Sequence, residues 1–280
     1  MSNPFFNEKR MNEDAAGWAA PPAATSTSGA AVAASPQGFP APTGAPVTDG
    51  PISTWKGAMT VNGVISVTAV LFVLLLLSAT FGWMSSTDSV TGEVEFPPLA
   101  MGGIIVGFIA ALVAYRKPNL AKFLGPVYAI AYGYAVGAIS AAYESYQDGI
   151  VVQAIGATIA VFLVMLVMYR TGIVKVTPGY RKVVVAATVG IMLLYLVSIV
   201  MSFFGAEIPF INSPSLLGIG FSVLVCALAA ANLALDFDLI EKGVEAKMSK
   251  DYEWVAALGL VVTLVWLYLE MLRLLSKLNR

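Results

Sequence analysis

The sequence predicts an all-α integral membrane protein, a seven-helix transmembrane bundle behind a long polar leader. Three observations predict it. Hydrophobic residues make up 58% of the 280 residues and charged residues only 12%, whereas a soluble domain is about one quarter charged. Mean hydropathy is +0.79. Beyond residue 56, helix-length apolar runs alternate with short polar loops. In hydrocarbon only helices or closed barrels satisfy the backbone, and runs this long argue for helices.

The leader, residues 1–55, differs from everything after it. Pro36, Pro40, Pro42, Pro46 and Pro51 stand among Ala, Gly, Ser and Thr. Such a segment cannot bury enough apolar surface to offset the entropy of ordering, so a disordered cytoplasmic tail is expected. Lys9 and Arg10 are not followed by an apolar stretch, so the leader does not read as a signal peptide. Its aromatic cluster, residues 2–7, is expected to be an unstructured terminus.

Residues 56–280 form the membrane domain. Crossing about 30 Å of hydrocarbon takes about 20 residues at a rise of 1.5 Å each. Spans are expected at 61–83, 98–115, 122–143, 150–169, 182–204, 215–238 and 254–275. They fill almost all of 57–280 and leave no room for a soluble catalytic domain, so no enzyme is expected.

Loop charge sets the orientation, since positive residues favour the cytoplasm. Lys56 precedes the first span. Arg116, Lys117 and Lys122 follow the second, Arg170, Lys175, Arg181 and Lys182 the fourth, and Lys242, Lys247 and Lys250 the sixth. The other three loops carry Asp88, Glu93, Glu95, Glu144, Asp148 and Glu207 without Lys or Arg. The expectation is a multi-pass protein of the cytoplasmic (plasma) membrane with its amino terminus inside. Seven crossings put Arg273, Lys277 and Arg280 outside, against the rule; crossing is still expected, because the earlier spans dominate. Gly103 with Gly107, and Gly133 with Gly137 and Ala141, have the spacing that lets helix backbones approach closely.

Several functions fall away on composition. A net charge of −1 offers no basic surface to nucleic acid. Histidine is absent, which removes the commonest metal ligand and the usual general base. The single cysteine, Cys226, allows no intrachain disulfide. No lysine falls inside the expected last span to form a Schiff base with retinal. An intramembrane aspartyl protease needs two facing aspartates and a Gly-x-Gly-Asp string, and residues 217–221 lack the aspartate.

What remains is a small set of acids in apolar surroundings. Asp236 lies in Ala-Asn-Leu-Ala-Leu-Asp-Phe-Asp (231–238) and Glu270 in Leu-Val-Trp-Leu-Tyr-Leu-Glu-Met-Leu (264–272). A charge near the bilayer centre costs roughly 3 kcal/mol on insertion scales and usually faces a cavity, a partner or an ion path. Asp238, two residues from Asp236, cannot share its face. Lys242 follows Asp238 by four residues, the favourable order for a helical ion pair. Asp236 has no cation on its own helix, so it must be protonated, hydrated or met by another helix. Glu270 has Arg273 three residues on; either the two pair within the helix, or Glu270 points inward with Tyr268 and Arg273. Glu144, between Tyr143 and Tyr146, marks the outer interface or a cation-attracting vestibule. If Asp236 and Glu270 faced each other they would share one proton. Losing it would push the helices apart and leave an oxygen-lined site suited to Ca²⁺. Straight crossings instead place Asp236 toward the inner end and Glu270 toward the outer; a tilted last helix would bring them together.

Residues 137–144 (Gly-Ala-Ile-Ser-Ala-Ala-Tyr-Glu), 176–188 (Val-Thr-Pro-Gly-Tyr-Arg-Lys-Val-Val-Val-Ala-Ala-Thr), 235–243 (Leu-Asp-Phe-Asp-Leu-Ile-Glu-Lys-Gly) and 267–275 (Leu-Tyr-Leu-Glu-Met-Leu-Arg-Leu-Leu) carry a resemblance. Over about 57–278 the chain resembles the Bax inhibitor-1, or transmembrane Bax-inhibitor-motif, family, in particular its actinobacterial-type branch. The resemblance implies a seven-helix fold with the carboxy-terminal helix central. It also implies a pH-dependent calcium leak channel governed by two acids, which fall on Asp236 and on Glu270, where glutamate replaces the family's aspartate. Asp238, Arg273 and Glu144 are expected in supporting or vestibule positions. No cofactor and no permanently bound metal are expected, only transient calcium at Asp236 and Glu270. The rival expectation is a regulator that binds a membrane partner, such as a membrane-bound protease, without transport.

Overall fold

The computed structural model describes residues 57–88, 94–205, 208, 211 and 213–279. The leader 1–55, with its 2–7 cluster, and Lys56, Glu93, Glu207 and Arg280 lie outside the described residues. Among the described residues seven helices are long and apolar enough to cross a membrane: α1 Val61–Ser86, α2 Pro98–Arg116, α3 Ala121–Tyr146, α4 Ile150–Arg170, α5 Pro178–Phe203, α6 Leu216–Glu245 and α7 Asp251–Leu278. A 3-10 turn, Pro118–Leu120, leads into α3. Every start falls within four residues of expectation. The largest difference is the end of α6, at Glu245 rather than 238. The apolar run stops at the aspartates, but the helix continues through the Asp238–Lys242 pair, as an i,i+4 ion pair allows.

Local chemistry explains where helices begin. Thr60, Thr177 and Ser215 accept hydrogen bonds from the amides of Gly63 (3.0 Å), Tyr180 (3.1 Å) and Gly218 (3.2 Å), satisfying first-turn donors. Pro98 and Pro178 occupy the first helical position, where no N–H is needed. Gly149 turns the chain into α4 with φ 81°, a left-handed conformation that glycine adopts without penalty. The entry to α1 is also clasped to the α6–α7 loop. The Met59 amide donates to the Met248 carbonyl (2.8 Å) and the Lys250 amide to that of Gly57 (3.0 Å). The buried Glu253 carboxylate accepts from the Thr60 amide (2.9 Å) and hydroxyl (3.0 Å).

Lipid tails are as apolar as leucine, so close backbone packing and interhelical hydrogen bonds hold such a bundle together. The glycines do the first. A side chain at Gly133 would begin 2.7 Å from the Leu75 carbonyl oxygen, and one at Gly137 would overlap the carbonyl of Ala79. Gly82 on α1 abuts Tyr134 and Gly103 on α2 abuts Ala131. Helix α3 is thus fitted between α1 and α2. The carboxy-terminal helix α7 is central, with 72% of its most apolar stretch buried against 6% for α5. It packs on α1, α2, α3, α4 and α6. Leu71, Tyr128, Leu258 and Val261 fill its contact with α1 and α3; Leu233, Phe237, Leu260 and Leu267 fill its contact with α6. Helix α5 rides on α6 and meets α7 through Tyr195.

Candidate functional site

Asp236 sits on α6 against α7, 8% exposed. Opposite it is Gly259, where an added methyl would lie 3.5 Å from Asp236 Oδ1 and 3.0 Å from the Tyr115 hydroxyl. The missing side chain therefore makes the space that the carboxylate and the phenol share. The Thr263 hydroxyl donates to the Gly259 carbonyl at 3.1 Å and stands within hydrogen-bond reach of Asp236. Asp236 Oδ2 is buried without a partner. Among the described residues no cation pairs with Asp236. The Thr263 and Tyr115 hydroxyls are thus the polar neighbours of Asp236, and the site carries one negative group when the acid is ionised.

Asp238, on the other face of α6, is neutralised. It meets Arg181 Nη2 at 2.6 Å and Lys242 Nζ at 2.7 Å. The expected i,i+4 pair is present, and Arg181 of α5 joins it. This ties the start of α5 to α6 at the end of the bundle that carries the basic loops.

Glu270 does not meet Asp236. Gly259 and Thr263, which flank Asp236, precede Glu270 on α7 by three and two turns, about 16 and 10 Å along the axis. The straight-crossing expectation therefore describes the placement, and the two acids form separate sites. Glu270 is 2% exposed. Its Oε1 accepts from Arg273 Nη1 (3.0 Å) and from the Tyr195 hydroxyl of α5 (2.9 Å). Arg273 also donates to the Tyr195 oxygen at 2.6 Å, and its guanidinium lies 4.8 Å from that ring's centroid. So the intrahelical pair and the inward-pointing arrangement occur together, with Tyr195 rather than Tyr268 completing them. Tyr268 instead hydrogen-bonds the Ser140 hydroxyl at 2.7 Å. Glu270 Oε2, like Asp236 Oδ2, is buried without a partner.

Lys277, placed by the sequence beyond the last span, lies within α7 and is 5% exposed. Its ammonium donates to the Gly218 carbonyl (2.9 Å) and the Ser222 hydroxyl (2.7 Å). Glu144 has a cap's work: its two oxygens accept from the amides of Gly149 (2.6 Å) and Val151 (3.0 Å) at the start of α4, where a negative charge also complements the helix dipole. A cavity of about 360 Å³ does open beside it, lined by Tyr143, Tyr146, Gln147, Ile150, Ser276 and Asn279. Glu144 itself is spent on the cap and does not line it. Among the described residues no cluster of three or more His, Cys, Asp or Glu is placed to hold a metal ion.

Sequence reasoning missed Tyr115, Arg181, Tyr195, Gly259, Thr263 and Lys277. One signal was present. Arg181, Thr188 and Tyr195 recur every seven residues, which places them on one stripe of α5.

These features define a class: a seven-helix membrane bundle with its last helix buried and an unpaired acid inside its sixth. The family model described as Bax inhibitor 1 like matches residues 3–280, and the chain belongs to that family. No curated protein matches it.

Proposed function

We propose that the protein is a pH-sensitive cation leak channel of the plasma membrane, with calcium as the permeant ion, its amino terminus in the cytoplasm and Asp236 as the acid that responds to protons. The observation that carries this reading is the Asp236 carboxylate: buried, without a cation among the described residues, one oxygen unpartnered, beside the Tyr115 hydroxyl where Gly259 leaves room for both. When Asp236 loses its proton, its charge needs either water or a cation. Calcium takes six to eight oxygen ligands, more than Asp236, Thr263 and Tyr115 supply, so water completes the shell and binding is transient. No cofactor and no covalent step enter this reading.

Glu270 acts differently from the paired-acid scheme. Arg273 and Tyr195 already satisfy Oε1, so it reads as part of a closure between Asp236 and the end of the bundle away from the basic loops. Calcium flux into liposomes, measured across pH for wild type, Asp236→Asn and Glu270→Gln, tests the reading. Asp236→Asn is expected to abolish the pH response, and Glu270→Gln to change the amount of flux while keeping that response. Identical flux from all three proteins removes the leak and leaves partner binding as the function to pursue.

A further inference from the structure

Helix α5 is attached unlike any other. Among its described residues only Val184, 5% exposed, is buried. Its attachments are polar. Near its start, Tyr180 donates to the Ala231 carbonyl at 3.0 Å, and Arg181 pairs with Asp238 at 2.6 Å. Thr188 accepts from Asn232 at 2.8 Å. Beyond Thr188, the only described side chain of α5 that hydrogen-bonds another helix is Tyr195, to Glu270 at 2.9 Å and Arg273 at 2.6 Å. Apolar contact gives a helix little reason to prefer a neighbour over acyl chains, so polar contacts decide whether it stays. The amino-terminal half of α5 is therefore fixed at three points, and its carboxy-terminal half hangs on one hook.

We propose that Tyr195 is a latch, and that its release lets the carboxy-terminal half of α5 swing away from α6 and α7 about the anchored segment 180–188. The swing admits water to Glu270 at the end of the bundle away from the basic loops. The inference goes beyond the leak reading, since the motion stands whether or not an ion follows. The groups uncovered are Glu270, with its unpartnered Oε2, and Arg273, both of which Tyr195 touches. The Tyr195 ring also packs edge-on against Phe221 of α6, 6.3 Å between centroids; this positions the hydroxyl and is lost with the swing.

A single thiol under α5 reports the swing. Cys226 is the only cysteine and is buried among α4, α6 and α7 side chains, so it is replaced by serine, and Phe221→Cys puts a thiol where the Tyr195 ring packs. Thiol-specific labelling needs water and thiolate at the sulfur. The experiment reconstitutes the full chain in lipid nanodiscs and follows modification at position 221 by a charged methanethiosulfonate that does not enter hydrocarbon. This protein, otherwise wild type, should label slowly. Tyr195→Phe, which removes the hydroxyl that touches both Glu270 and Arg273, should label at least tenfold faster. Arg181→Gln, at the anchored end, should stay within twofold of wild type, and Cys226→Ser without Phe221→Cys should not label. Should Tyr195→Phe not fold, Glu270→Gln, which weakens the same contact, takes its place. A Tyr195→Phe rate equal to wild type overturns the latch. So does equal acceleration by Arg181→Gln, which would show general loosening. Fast labelling in Tyr195→Phe with calcium flux unchanged keeps the latch and counts against the leak.

Discussion

Replacing Arg273 by methionine should destabilise the bundle more than replacing Glu270 by glutamine, and the structure sets the size of the difference. The Glu270 side chain is 3% exposed and that of Arg273 30%. Without the guanidinium, the carboxylate stays buried with the Tyr195 hydroxyl as its one donor and with Oε2 still unpartnered. Removing one partner of a buried pair costs about 3–5 kcal/mol. Here the partner is partly solvated, and water can follow it, so about 2–4 kcal/mol is expected. Glu270→Gln keeps an acceptor for Tyr195 and leaves a cation that can turn toward the cavity, at about 1–2 kcal/mol. With both charges gone, the double variant should sit closer to wild type than the sum of the two, a coupling of about 2 kcal/mol. Reversible unfolding in mixed maltoside and dodecyl sulfate micelles, followed by helical circular dichroism, measures all four corners. If Arg273→Met costs no more than Glu270→Gln, the carboxylate was never dependent on that arginine, and the electrostatic account of this site fails.

Other outcomes follow from the same structure. Gly137→Ala puts a methyl into the Ala79 backbone; it should cost about 1–3 kcal/mol as overpacking does, in the same micelle assay. Glu253→Ala strips the acceptor from the Thr60 amide, a loss of about 1–3 kcal/mol for a charged acceptor; exchange of that amide with deuterium should accelerate while α5 amides stay unchanged. Gly259→Ala should stop flux without changing any charge, because its methyl lies 3.0 Å from the Tyr115 hydroxyl and 3.5 Å from Asp236. Flux at the wild-type level from a folded Gly259→Ala protein would place the path elsewhere.

The fold was legible because hydrocarbon leaves the backbone few choices. A run of about 20 apolar residues has to be a helix, so the starts of all seven could be read from composition. The ends were less legible. Helix α6 runs on to Glu245 because beyond the hydrocarbon a helix is held by side-chain pairs, and charged residues no longer mark its stop. The glycine spacing on α2 and α3 also read correctly, since only close approach makes small residues at that period useful. The site was legible as residues and not as partners. Asp236 stood out for having no cation on its own helix, and among the described residues none reaches it from another. Its actual neighbours come from α2 (Tyr115) and from α7 (Gly259 and Thr263), and which of their faces turn toward Asp236 is set by packing. The stripe of Arg181, Thr188 and Tyr195 could be read from its spacing, but spacing shows only which side of α5 docks and not which acids it meets.

The two kinds of contact divide the bundle mechanically. Where backbones touch through Gly82, Gly133 and Gly137, separation loses many dispersion contacts at once, each about 0.1–0.2 kcal/mol, and lipid cannot refill so narrow a seam. Where α5 meets α6 and α7, separation loses a few hydrogen bonds of about 0.6–1.7 kcal/mol each in a bilayer. Lipid and entering water replace the rest. Asp236 lies at the junction of these regimes. Its pocket is walled by α2 and α7, while Asn232, one turn before it on α6, holds Thr188 of α5. The carboxy-terminal half of α5 can therefore move without disturbing the walls of the Asp236 pocket, while the Asn232–Thr188 contact belongs to the anchored segment and stays.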